Sequence, residues 1–147
     1  MAWIIPTEND LLTSLSETEL ATYRAAALAS GQADPVAPTL AQVVDLVRGY
    51  VGAYRPNPLG EAGTIPQKLL APAIDLAAVR LPQRVGVPPK EVRKAAADQA
   101  IRLLEQVAAG VFNIEEPDEA STETTSAPSP SVRGHRRRFG YREEEGV

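Results

Sequence analysis

The sequence predicts a mostly α fold, a small helical bundle of about five helices with an extended C-terminal tail. Three observations predict it. Alanine and small aliphatic residues dominate an apolar fraction of 44%, whereas aromatics make up only 5%, a balance that suits close-packed helices better than sheets. Apolar residues recur at helical rather than alternating spacing through most of the first 114 positions. Near Pro117 the composition turns to acid and then to Ser, Thr and Pro, which leaves almost nothing to bury. The 147 residues therefore divide into a helical domain at 1–114, an acidic Ser/Thr/Pro linker at 115–131 and an Arg/aromatic docking tail at 132–147.

Each element has its own local signal. Trp3-Ile4-Ile5 precedes Pro6, and a residue before proline is pushed out of the helical region, so an extended start is expected. Thr7 with Asp10, and more clearly Ser16 with Glu19, have capping-box spacing and open two helices. The first carries Leu11, Leu12 and Leu15. The second carries Leu20, Tyr23, Ala27 and Leu28, with Gly31 as its stop. Asp34 to Pro38 reads as a loop, and Thr39 as the cap of a third helix. That helix has the clearest stripe in the chain, through Leu40, Val43, Val44, Val47, Tyr50, Val51 and Tyr54, with Gln42, Asp45 and Arg48 off it.

Arg55-Pro56-Asn57-Pro58 ends the third helix, and residues 57–64 form a loop with two glycines. Pro66 suits the first turn of a fourth helix, whose buried face is Leu69, Leu70, Ala73, Ile74, Ala77 and Leu81. Pro72 inside this pattern predicts a kink or a delayed start. Residues 82–88 are expected to turn, and Pro88-Pro89 precede a fifth helix reaching about Ala109. Its apolar arc is wide. Val92, Ala96, Ala100, Leu103 and Val107 form one stripe, and Ile101, Leu104 and Ala108 a second beside it. One stripe serves the core, so Ile101, Leu104 and Ala108 are the expected subunit interface. Val111 to Ile114 is expected to be a short strand or a packing segment.

Composition and motifs exclude much chemistry. There is no cysteine, hence no disulfide framework and no thiolate metal site. The single histidine, His135, lies among arginines, which disfavours protonation and metal binding alike. Glycine spacings match neither phosphate-binding fingerprint, so no cofactor is expected. Asp75 and Asp98 are the acids set within strongly apolar helices, and solvated or subunit-facing positions suit them better than catalysis. Trp3-Ile4-Ile5 is too short for a signal peptide, and no apolar run approaches a membrane span, so synthesis in a cytoplasm is expected. The first 114 residues hold 10 basic and 11 acidic groups of the chain's 15 and 19, too balanced to steer nucleic acid broadly.

The tail sorts its charges into blocks. Arg136, Arg137, Arg138, Phe139, Tyr141 and Arg142 form a compact basic and aromatic motif, and Glu143 to Glu145 follow. Three readings are open: a nucleic-acid arm, a docking peptide anchored by Phe139 and Tyr141, or a solvated end. The period-two spacing of the aromatics and the triple glutamate favour docking.

The run from Val43-Val44-Asp45 through Tyr50-Val51 to Tyr54-Arg55-Pro56-Asn57-Pro58-Leu59 is followed by Ile65-Pro66, Lys68-Leu69-Leu70 and Ile74-Asp75-Leu76-Ala77. It resembles the central motif of the Mu-type head-completion proteins of tailed phages, which belong with the wider head–tail adaptor proteins. Ala100 to Gly110 is similar to that family's last helix, and Ile5-Pro6-Thr7 and the arginine–Phe139–Gly140 peptide also fit. The resemblance implies a virion protein of the head–tail interface. It would form a ring, twelvefold in expectation, beneath the portal protein, extend the DNA channel and carry the next neck or tail protein. Its partners would be the portal, neighbouring copies of itself, that next protein, and genomic DNA passing without sequence-specific contact. No membrane, cofactor or catalytic residue is implied. A lumen that lets DNA slide should be acidic or balanced, with Asp45 and Glu61 as candidates. The Ala/Pro-rich stretch at 33–38 and the acidic linker depart from the family pattern.

A rival reading is a helical DNA-binding or regulatory partner protein with a basic tail. It would need an exposed recognition helix, for which Lys90, Arg93 and Lys94 are the available cations, with Arg102 further along. An ordinary solvated face is the plainer account of that cluster.

Overall fold

The computed structural model describes residues 3–117. Five α-helices occur in this span: α1 at Glu8–Leu11, α2 at Glu17–Ala29, α3 at Val36–Ala53, α4 at Leu70–Arg84 and α5 at Glu91–Ala108. A 3-10 turn at Gln67–Leu69 leads into α4. Among the described residues β pairing is confined to one antiparallel bridge, Ile4 with Ile65. The mostly helical class read from composition and periodicity is therefore the observed one.

Both capping boxes form. The Thr7 amide and hydroxyl each donate to Asp10 Oδ2 at 2.8 Å. The Glu19 amide donates to Ser16 Oγ at 3.2 Å, and the Ser16 amide donates back to the Glu19 carboxylate at 3.2 Å. Leu20, Tyr23 and Ala27 are buried as their spacing requires, and Gly31 closes α2. Leu28 is not part of that face; it is 70% exposed.

The start of α3 differs from expectation. Asp34 to Pro38 is not all loop: the helix begins at Val36, with Pro35 as N-cap and Pro38 in its first turn. The first backbone amides of a helix have no intrahelical acceptor, so proline loses nothing there. Asp34 accepts from the Val36 amide at 3.1 Å, the role expected of Thr39. Thr39 lies inside the helix, buried, with its hydroxyl donating to the Pro35 carbonyl at 2.6 Å.

Pro72 acts as a delayed start. The 3-10 turn occupies Gln67–Leu69, α4 begins at Leu70, and Pro72 falls in its first turn, where its missing N–H costs nothing. At the other end α4 runs through Pro82 to Arg84, three residues into the expected turn. Pro82 is buried, and its carbonyl accepts from the Val85 and Val87 amides at 3.2 and 2.9 Å, which closes the helix. Leu76 and Ala78 are buried along with the expected face, so α4 is surrounded. It packs against α1, α3 and α5, and α3 also packs against α5. The core is this three-helix centre, with Leu69, Leu81, Val47, Val51, Leu104 and Val107 among its most enclosed side chains.

One ion-pair cluster binds α2 to α5. Glu19 accepts from Arg93 at 2.7 Å and from Lys90 at 2.8 Å. Arg93 also donates to the Ser14 carbonyl at 3.3 Å. Its hydrogen bond with Arg93, then that with Lys90, holds the Glu19 carboxyl down at about 2 from an ordinary value of 4.5. A carboxyl with a depressed folded pKa stabilises above its unfolded pKa, and that stability is lost as pH falls through the folded value. The urea midpoint should therefore drop between about pH 4.5 and pH 2, and Glu19→Gln should flatten that drop while costing about 2 kcal/mol at pH 7. An unchanged acid profile in the variant would show that the pair adds nothing.

Candidate functional site

The described domain has no gathered chemical centre. No three His, Cys, Asp or Glu side chains come together among the described residues. Asp75 is half-buried on α4, and burial pushes its carboxyl above the ordinary range. Asp98 is exposed on α5. What the structure does offer are surfaces, and a joint that shapes one of them.

The joint centres on Arg48, which the helical pattern placed off the core stripe of α3. Its guanidinium donates to the carbonyls of Thr64 at 2.7 Å, Glu61 at 2.8 Å and Gly60 at 3.1 Å, and so pins the 57–64 loop onto the helix. The same guanidinium lies 5.8 Å from the centre of the Trp3 ring. Trp3 is buried, and its indole N–H donates to the Glu115 carbonyl at 2.8 Å. Gly60 is required by this packing: a Cβ there would lie 2.8 Å from the Trp3 ring and 3.0 Å from Pro117. The extended start, the 57–64 loop and the chain leaving the domain thus meet over one side of α3, and packing continues to Pro117. Arg48→Lys keeps the charge but loses the planar fork that serves three carbonyls. It should lower stability by about 1–3 kcal/mol in thermal unfolding and blue-shift less on burial of Trp3, read by tryptophan fluorescence. No change in either would demote Arg48 to a surface residue.

Two apolar clefts flank Asp45 on the outer side of α3. One, of about 300 Å³, includes Ile5, Pro6, Leu40, Ala41 and Gly63. The other, of about 450 Å³, lies between α3 and α5 and is lined by Leu46, Gly49, Tyr50, Ala53 and Ala108. Tyr54 closes the far end of this region by packing under Gly110. A Cβ on Gly110 would run into the Tyr54 ring, and the residue has φ +76°, so both space and backbone demand glycine.

The expected interface residues separate. Leu104 is 0% exposed and belongs to the domain's own core, so it has no surface to offer a neighbour. Ile101 is half-buried against that core, and Ala108 is half-buried in the wall of the α3–α5 groove. The core face of α5 is Ala97, Ala100, Leu104 and Val107: Ala100 and Val107 lie on the expected stripe, whereas Ala97 and Leu104 take the places expected of Ala96 and Leu103. Val92, placed on that stripe, is 81% exposed. Phe112 and Ile114 pack against the core without forming a strand. Arg136, Arg137, Arg138, Phe139, Tyr141 and Arg142 lie outside the described residues, as does most of the linker.

Three of the four cations of a would-be recognition helix are engaged, and Arg102 is exposed. Arg93 and Lys90 pair with Glu19, and Lys94 pairs with Glu91 at 2.8 Å. A base-reading helix needs such side chains free. No described helix is long and apolar enough to cross a membrane.

A protein-family model described as Bacteriophage Mu, Gp36 matches residues 6–132, a span that takes in all five helices, the linker and the start of the tail. The chain matches no curated protein and no solved structure.

Proposed function

This chain belongs to the bacteriophage Mu Gp36 family, a family of phage structural proteins, and we propose that it is a neck protein that forms a ring under the portal. The ring, dodecameric in this reading, extends the DNA channel from the head and presents a platform to the next neck or tail protein. The family match over the whole helical domain carries the proposal.

The surfaces fit an assembly role. Ile5 and Leu59 are 65% and 51% exposed, and two apolar clefts lie along α3. Large apolar side chains standing in water beside apolar clefts mark surfaces that another protein covers. Ile101 and Ala108 on α5 remain candidates for the contact between neighbours. The tail, through Phe139, Tyr141 and the surrounding arginines, is the attachment arm, seated on the portal or on a neighbouring copy. Glu61 is exposed and is proposed to face passing DNA, where an acid does not grip phosphate. Asp45 instead stands between the two apolar clefts, a position that suits a partner's cation. No step of this function uses a catalytic group.

The test is electron microscopy of purified particles with the chain labelled. Density for the label at the vertex between head and tail, with rotational symmetry matching the portal, is the expected result. Label spread over the capsid or absent from particles would overturn the proposal.

A further inference from the structure

The groove between α3 and α5 has a floor that the monomer does not explain. Gly49 sits inside an 18-residue helix with an ordinary helical backbone, and a Cβ built there meets nothing within 4 Å. Glycine inside a helix costs about 1 kcal/mol relative to alanine. Neither backbone conformation nor packing within the chain calls for it at this position. What glycine does achieve is to lower the groove floor between Leu46, Tyr50 and Ala53, which permits a close approach from outside.

The banks of the groove carry acid. Asp45 lines it on α3. On α5, Asp98, Ile101, Glu105 and Ala108 recur at i, i+3, i+7 and i+10 and so share one stripe, and both of its acids are exposed. Arg102 stands one position off that stripe. An apolar groove with acidic banks selects an occupant with apolar anchors and several cations. The segment Arg136 to Arg142 has that chemistry: four arginines around Phe139 and Tyr141, with Gly140 between the aromatics.

Chain length lets the segment reach a second copy. Eighteen residues separate Pro117 from Arg136, and they span up to about 60 Å when extended. A packed domain of this size is only about 35 Å across. Pro117 leaves beside Trp3 and Gly60, against the loop that Arg48 pins to α3, so returning to the same α3 needs a small part of that reach. The full length matches a crossing to an adjacent domain.

We propose that the α3–α5 groove receives the Arg136–Arg142 segment of a second copy of this chain. Phe139 and Tyr141 enter the apolar groove over Gly49, and the arginines pair with Asp45, Asp98 and Glu105. This rests on the reading of the chain as a ring-forming neck protein, and it makes each subunit strap the next.

The chain has no cysteine, which allows a direct test. Full-length Gly49→Cys and Tyr141→Cys variants are mixed, assembled onto tailless heads, oxidised and run on a non-reducing gel. Gly49 has open space around it, so the first substitution disturbs no packing. The expected result is a band at about twice the 15.7 kDa chain mass that contains one copy of each variant. Val92→Cys, on an exposed position at the start of α5, should give no such band with Tyr141→Cys. Linkage found only within a doubly substituted single chain, linkage of Tyr141→Cys to the portal, or no linkage in heads that contain the protein would each overturn the inference while leaving the neck assignment intact. Absence of the unsubstituted chain from necks would overturn the neck assignment itself, and the strap with it. As a second readout, Gly49→Leu should leave the melting temperature unchanged or raised and lower neck occupancy at least tenfold; normal occupancy would count against the groove.

Discussion

Truncation after Pro130 is expected to leave the helical circular-dichroism signal unchanged while the shortened chain fails to enter necks. Every packing contact described for the domain lies upstream of the cut, including the Trp3 bond to Glu115 and the packing of Pro117 over Gly60. The residues removed include Phe139, Tyr141 and five arginines, residue types that anchor interfaces most often. Ordering one arm costs much of what its contacts return, so a single arm holds weakly. A ring presents many arms at once, and tethered second contacts raise overall avidity by about 10²–10⁴ without any new kind of contact. Loss of the arm should therefore reduce neck occupancy by a comparable factor, measured by quantitative gel analysis of purified particles. Undiminished occupancy would remove the tail from the attachment mechanism. Loss of the circular-dichroism signal would show that the tail completes the core.

Ile101→Glu and Leu104→Glu should fail in different ways, although the two residues share a helix and a stripe in the sequence. Leu104 is fully enclosed between α5 and the α3–α4 pair. Truncating a buried leucine costs about 2–5 kcal/mol through lost transfer and the cavity left behind, and an unpaired carboxylate in the same place costs more. Set against a total stability of about 5–15 kcal/mol, Leu104→Glu should yield little folded protein. Ile101 is half-buried at the edge of the core, where a carboxylate can reach water. Ile101→Glu should lower the melting temperature by a few degrees, keep the helical signal, and abolish incorporation into particles. Thermal unfolding and particle occupancy measured on both variants separate the cases. A folded Ile101→Glu protein that incorporates normally would take Ile101, and with it this side of α5, out of the subunit contact.

The parts of the fold that depend on neighbours along the chain were legible in the residues alone. Thr7 with Asp10 and Ser16 with Glu19 fix two helix starts, because the partners of a cap lie three residues away. Val43, Val47 and Val51 mark one face of α3, because helical geometry alone stacks i, i+4 and i+8. Pro72 delayed α4 for the local reason that proline lacks an N–H. Composition near Pro117 and the charge blocks of the tail are likewise sequence properties, and they marked where the helical pattern stops. The central motif and the last helix that carried the family resemblance lie within the span that the family model matches, whereas Ile5 and the arginine–Phe139–Gly140 peptide fall outside it.

Which neighbour each face meets emerged with the packing of the helices. Ile101 and Leu104 are both apolar and three apart, and no local rule says which one α4 will cover. The packing of α4 against α3 and α5 rotates α5 so that Leu104 is enclosed and Ile101 is left at the edge. Arg93 looked like one of three solvated cations until α2 brought Glu19 to it from 74 positions away. Arg48 looked like a polar face, and it became the anchor of the 57–64 loop because Pro56 and Pro58 turn the chain back over α3 and leave three carbonyls within reach of one guanidinium. Gly49 is the same kind of case: its openness becomes visible only once α5 forms the opposite bank of a groove. Local rules act through bonds and helical turns a few residues long, whereas these contacts depend on how whole helices pack, and that is set by the sum of many side-chain volumes spread along the chain.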